Sequence, residues 1–198
     1  MADAPAEQAT ERSRAKADRR DALLTAAARL FAARGFNGVS IEDLGSAVGI
    51  SGPAVYRHFS GKQAVLAALL VGVSEDLLAG GLAVVDAAAN DTAALRALIR
   101  FHTDFALSNP EVIRVQDRDL ESLADEDSHA VRTLQRRYVE LWVGVLARRN
   151  PREDTAVLRM RAHATFGLLN STPHSSSRSL PRATMHDELE KMAWALLG

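Results

Sequence analysis

Tyr56, Arg57 and His58 stand in a row inside "SGPAVYRHFSGK", which runs from Ser51 to Lys62. A phenol and an imidazole side by side can donate to phosphate oxygens. A guanidinium can do the same or meet the edge of a guanine. The same stretch places Val55 and Phe59 four residues apart, so a short helix has one apolar face and leaves Pro53, Tyr56 and Arg57 on the other. Lys62 falls in the first turn of the helix that follows, where free backbone N–H groups already favour an anion. This is the chemistry of contact with a polyanion. The signatures of catalysis are missing: there is no HExxH, no GxGxxG and no Walker-type loop. Six histidines are dispersed without metal-ligand spacing. The chain has no Cys, which excludes disulfides, thiol catalysis and Cys-bound metals. No catalytic residue, cofactor or metal is expected.

The elements that must hold these side chains are helices. A first helix has Leu23, Ala27, Leu30 and Phe31 at helical spacing and Gly35 in position for a left-handed cap. In "NGVSIEDLGSAVGIS" Ser40 caps a second helix, with Asp43 as the reciprocal partner of a capping box and Ile41, Leu44 and Val48 as its apolar face. Gly49 ends it. Ser51 caps a third helix with Pro53 in its first turn. Ser60 caps a fourth, and Gln63 completes its box. Two short helices joined at Gly49 have the spacing of a helix-turn-helix, whose second helix presents its outer face to a major groove.

Five more helices follow over about 91–108, 111–123, 125–149, 153–171 and 181–197, giving about nine in an all-α protein. Abundant Ala, 5% aromatics and no useful strand-like alternation agree with that class. "HSSSRS" is the one biased segment. The longest apolar stretch, Ala64 to Val85, is broken by Glu75 and Asp76 and is expected to fall short of a membrane span. No signal peptide is visible, and a cytoplasmic protein without membrane contact is expected.

Net charge is −1, but it is uneven. Residues 1–62 hold 9 Lys/Arg against 7 Asp/Glu. Arg12, Arg14, Lys16, Arg19 and Arg20 crowd one segment, either as a solvated tail or as an arm reaching a phosphate or the minor groove. The expected organisation is a flexible basic arm over 1–18, a helix-turn-helix DNA-binding domain over 19–62, and a larger helical domain over 63–198 with enough apolar surface for a core of its own.

"GVSIEDLGSAVGISGPAVYRHFSGKQAVL" resembles the DNA-binding segment of TetR/AcrR-type regulators. The pattern is met at Ser40, Gly49, Tyr56, His58, Phe59, Lys62 and Gln63. The resemblance implies phosphate contacts from Ser40, Tyr56, His58 and Lys62, and base-facing positions at Ser51, Gly52, Pro53 and Arg57. Gly52 departs from the basic or longer polar residue often found there. The family also implies a homodimer built from the last two helices, a palindromic operator in double-stranded DNA, and repression relieved by a small molecule.

In the larger domain Phe101, His102 and Phe105 share one helix, Trp142 another, and His163, Phe166 and Asn170 a third. With Arg118 they are the candidate lining of a mostly apolar effector pocket carrying a few orienting polar groups. No basic cluster is evident on these inner faces, so a lipid-like or aromatic effector is expected. The same residues also read as satisfied polar groups in a helical core. Two other functions therefore stay open: a DNA-binding dimer with no effector, and a small-molecule carrier or enzyme on a helical scaffold.

Overall fold

The structure, a computed structural model, describes residues 4–175 and 180–198. Those residues form α1 (Ala4–Arg34), α2 (Ile41–Ala47), α3 (Gly52–Val55), α4 (Lys62–Asp86), α5 (Asp91–Ser108), α6 (Pro110–Asp119), a 3-10 turn (Leu120–Ser122), α7 (Asp125–Arg149), α8 (Thr155–Leu169), α9 (Thr172–Ser175) and α10 (Arg182–Leu197). There is no strand among the described residues. The four-residue α9 lies in what reads as a loop, and "HSSSRS" falls largely outside the described residues.

Local signals set most boundaries. The Ser40 hydroxyl accepts from Asp43 N at 3.0 Å, and Asp43 Oδ2 accepts from Ser40 N at 2.9 Å. That bond from Ser40 holds the Asp43 carboxyl below its ordinary range, with Arg34 adding to the effect. Asn90 and Asp154 cap α5 and α8 through Ala93 N and Ala156 N. Gly35 and Gly49 take φ of 78° and 71°, the left-handed region that stops α1 and turns the chain after α2. Two expected caps differ. Ser51 flanks α3 without a side-chain capping bond. The residue before α4 is Gly61 rather than Ser60, and Gln63 Nε2 reaches across to Ser122 O at 3.5 Å.

α1 begins at Ala4, so a helix occupies most of the segment expected to be a flexible arm over 1–18. Ala, Glu, Gln, Arg and Lys dominate it. These are strong helix formers, and extending an existing helix escapes the cost of nucleation.

Two apolar cores meet along α4. The first gathers Leu23, Phe31, Phe36, Leu44, Val55, Phe59 and Leu66, and it also takes in Val112 and Val115 of α6, Leu123, and Val131 of α7. The second packs Leu78 of α4 with Leu95 and Leu98, Trp142 and Leu146, Leu158 and Leu169, and Leu189 and Leu197 of α10. The first core therefore does not stop at residue 62. By length and composition α4 is apolar enough to cross a membrane, contrary to expectation. Its place is between the two cores, with Leu66, Leu70 and Leu78 buried against α1, α5 and α7.

Candidate DNA-binding face and effector cavity

α2 and α3 are locked together by backbone. Ile50 N donates to Gly45 O at 2.9 Å, and a Cβ on Gly45 would lie 2.7 Å from Ile50 O. Val55 and Phe59 are buried, while Pro53, Tyr56 and Arg57 are exposed, Tyr56 by 55%. α3 thus keeps its anchors inside and offers a phenol and a guanidinium to solvent. Ser51 is exposed beside them. Gly52 is buried, and a Cβ there would meet Glu42 Oε1 at 3.1 Å. The small residue accommodates the Glu42 side chain rather than presenting one of its own. His58 is half-buried, with Nδ1 enclosed and without a hydrogen-bond partner among the described residues.

Several expected contacts have internal work. Ser40 Oγ is occupied by the capping box. Lys62 Nζ donates to Phe36 O at 2.8 Å and lies 4.4 Å from the centre of the Phe36 ring, tying α4 to the chain after α1. Arg19 Nη1 donates to Val48 O at 3.2 Å, closing the end of α2, and Arg20 stacks on Phe59 at 4.9 Å. Arg14 and Lys16 remain exposed on α1.

The second core contains a cavity of about 210 Å³ between α4, α5, α6, α7 and α8. Five of the eight expected lining residues surround it: His102, Phe105, His163, Phe166 and Asn170. Three do not. Phe101 packs on Gly80, where a Cβ would sit 2.3 Å from its ring. Trp142 is fully buried behind the cavity, edge-on to Phe166 at 4.9 Å. Arg118 points away, toward α1. Ser74, Gln135 and Tyr138 line the cavity without having been expected. Tyr138 lies on the Trp142 face one turn earlier, the signal that would have found it.

At the cavity's base His102 Nδ1 lies 3.3 Å from the Tyr138 hydroxyl and Nε2 lies 3.0 Å from Asn170 Oδ1. Burial drives the imidazole pKa down to about 4, partly countered by Asn170. The ring is therefore neutral near pH 7. Oδ1 can only accept, so the imidazole proton sits on Nε2 and the Tyr138 hydroxyl donates to Nδ1. Burial likewise pushes the Tyr138 hydroxyl up, keeping it protonated.

α6 connects cavity and DNA-binding face. Its Ile113 and Gln116 line the cavity. Arg118 donates through Nη2 to Phe31 O and through Nη1 to Ala32 O at 3.5 Å, at the end of α1. Buried Asp119 accepts from Phe36 N at 3.3 Å and from Arg118 Nε at 3.2 Å.

Comparison with known proteins agrees with this architecture. Residues 23–69 match the family described as "Bacterial regulatory proteins, tetR family", and residues 88–174 match "Tetracyclin repressor-like, C-terminal domain". The HTH-type transcriptional repressor KstR2 of Rhodococcus jostii is 32% identical over 132 residues, 66% of this chain. The match spans 65% of that repressor's length. Among solved structures, a TetR-family transcriptional regulator from Bordetella parapertussis superposes with a TM-score of 0.78 at 20% identity, over 88% of this chain and 93% of that one. AibR in complex with isovaleryl coenzyme A and operator DNA superposes with a TM-score of 0.73 at 20% identity, over 88% and 97%. At such identities these two are likenesses of fold.

Proposed function

The chain belongs to the TetR family of bacterial regulatory proteins, and from that premise we propose a transcriptional regulator that binds operator DNA as a dimer and leaves it when a small molecule fills the cavity. It works in the cytoplasm as a repressor, a reading supported by the similarity to a repressor, KstR2. The observation that carries the proposal is the double use of α6. Ile113 and Gln116 touch whatever occupies the cavity, and Arg118 and Asp119 grip the end of α1 and Phe36. A ligand that fits only a displaced α6 moves the equilibrium by its differential affinity for the two arrangements. The cavity itself favours this reading over a dimer with no effector.

The DNA-binding unit extends over 19–62 and rests on α6. Ser51, Pro53, Tyr56 and Arg57 face the major groove, with His58 at its edge, while Ser40 and Lys62 act mainly by holding α2 and α4 in place. Arg57→Ala is expected to weaken operator binding by about 1–3 kcal/mol and to change the preference among operator variants. Tyr56→Phe is expected to weaken all sequences alike. Gel shifts on genomic fragments retained by the purified protein measure both. Unchanged affinity in both variants would remove α3 from the interface.

The dimer is formed by α8 and α10. Ala156, Met160, Ala164 and Gly167 make an exposed stripe on α8, and Met192 and Leu196 one on α10. Met160 is 62% exposed, an unusual place for a large apolar side chain unless a partner covers it. Leu168 is half-buried against its own core and is a poor probe. Met160→Glu is expected to yield a folded monomer by light scattering. A Met160→Glu protein that stays dimeric would move the interface elsewhere.

A further inference from the structure

A second hollow lies where the DNA-binding head leans on the body. It is an open groove of about 390 Å³ between α1, α4 and the joint from α5 to α6, and it shares no lining residue with the effector cavity. Leu24 and Ala28 of α1, Leu69 and Val73 of α4 and Val112 of α6 give it an apolar floor. Gly72 of α4 belongs to the same lining. A glycine inside a long helix weakens it relative to alanine. Gly80 and Gly81 of the same helix have a packing reason, because a Cβ there would lie 2.3 Å from the Phe101 ring and 2.6 Å from the Tyr138 ring. Gly72 has none: a Cβ added to it would meet nothing within 4 Å. What this glycine leaves is room over an apolar surface.

The rim is charged and one-sided. Asp21 of α1, Asp76 of α4 and Glu111 of α6 stand against Arg29 alone. None of these four forms an ion pair among the described residues. Glu111 lies in the first turn of α6, where the helix end takes up part of its charge. Asp21 and Asp76 are exposed and have no such use. Arg182 touches the lining at Ser108 Oγ, and the acids still outnumber the cations when it is counted. The groove's 390 Å³ is about thirteen water volumes at roughly 30 Å³ each, room for an apolar body of about a dozen heavy atoms.

We propose that this groove is a second ligand site, separate from the effector cavity, for a lipophilic organic cation such as a long-chain amine. The apolar body lies over Gly72, and the ammonium group is held by Asp21 and Asp76. A ligand seated there touches α1 and α4 at once and so favours the present arrangement of head and body.

Calorimetry on the full chain without DNA, with decylammonium, decanoate and 1-decanol as probes, tests this. Gly72→Leu isolates the groove, because it fills the open space while Leu is a better helix former than Gly. An undiminished thermal melt confirms that the variant folds. Decylammonium is expected to bind the wild-type protein, more weakly as salt rises, and to lose about tenfold or more of its affinity in Gly72→Leu. Decanoate and 1-decanol, which have no ammonium group, are expected to bind both proteins alike. Asp21→Asn/Asp76→Asn is expected to lose about tenfold of the decylammonium affinity and most of its salt dependence. Absent decylammonium binding, or full affinity in Gly72→Leu, overturns the site. An equal loss for 1-decanol, or full affinity in the double variant, overturns the cation assignment. A Gly72→Leu protein of lower molar mass by light scattering would show that a second copy covers the groove, and would overturn the site as well.

Discussion

Trp142→Ala is expected to cost about 3–5 kcal/mol of folding stability, the range for emptying a large buried aromatic site. Trp142 has no exposed surface and sits where α5, α7 and α8 converge, flanked by the rings of His102, Tyr138 and Phe166. Helical spacing alone had cast it as a ligand contact, for which truncation should blunt the effector response and spare the fold. Its depth changes that expectation. At about 2–4 °C per kcal/mol for a chain of this size, the melting temperature falls by on the order of 10 °C. Melts at one protein concentration measure it, since dimerisation makes the midpoint concentration-dependent. A loss below about 1 kcal/mol would show that the second core is not packed around this ring.

The second large effect comes from acid. His102 has a pKa of about 4 when folded against about 6.5 when unfolded. Between those values the unfolded chain binds the extra proton, so stability falls as pH drops through that window and is fully present above it. At about 1.36 kcal/mol per unit the loss approaches roughly 3 kcal/mol near pH 4. Carboxylates titrate in the same range, so the comparison is with His102→Gln, which cannot take up the proton. Urea unfolding at pH 7 and pH 4.5 should show the wild-type protein losing more stability than this variant. Equal losses would mean that the ring is solvated in the folded state.

What was legible in the sequence is what is encoded within a turn or two of chain. The Ser40–Asp43 box, the left-handed Gly35 and Gly49, and the division of α3 into anchors and exposed groups each depend on residues close in number. The cavity is half-legible for the same reason. His102 with Phe105, and His163 with Phe166 and Asn170, share faces at helical spacing, and they do converge. Spacing gives direction but not depth, so Trp142 and Phe101 were placed one layer too near the ligand. It is also silent about partners distant in the chain. Arg19, Lys62 and Arg118 read as cations free for other work, and only the packing of α1 against α2, α4 and α6 shows that each is spent on a backbone carbonyl.

The core that runs past residue 62 has a bearing on engineering. A hybrid sensor made by exchanging DNA-reading heads between relatives would ordinarily be cut just before α4. Here that seam would slice through one apolar core, stranding Val112, Val115, Leu123 and Val131 on the wrong side of the graft. A transplant that respects the packing must carry α6 and the start of α7 along with the head, or rebuild those four positions to suit the new one.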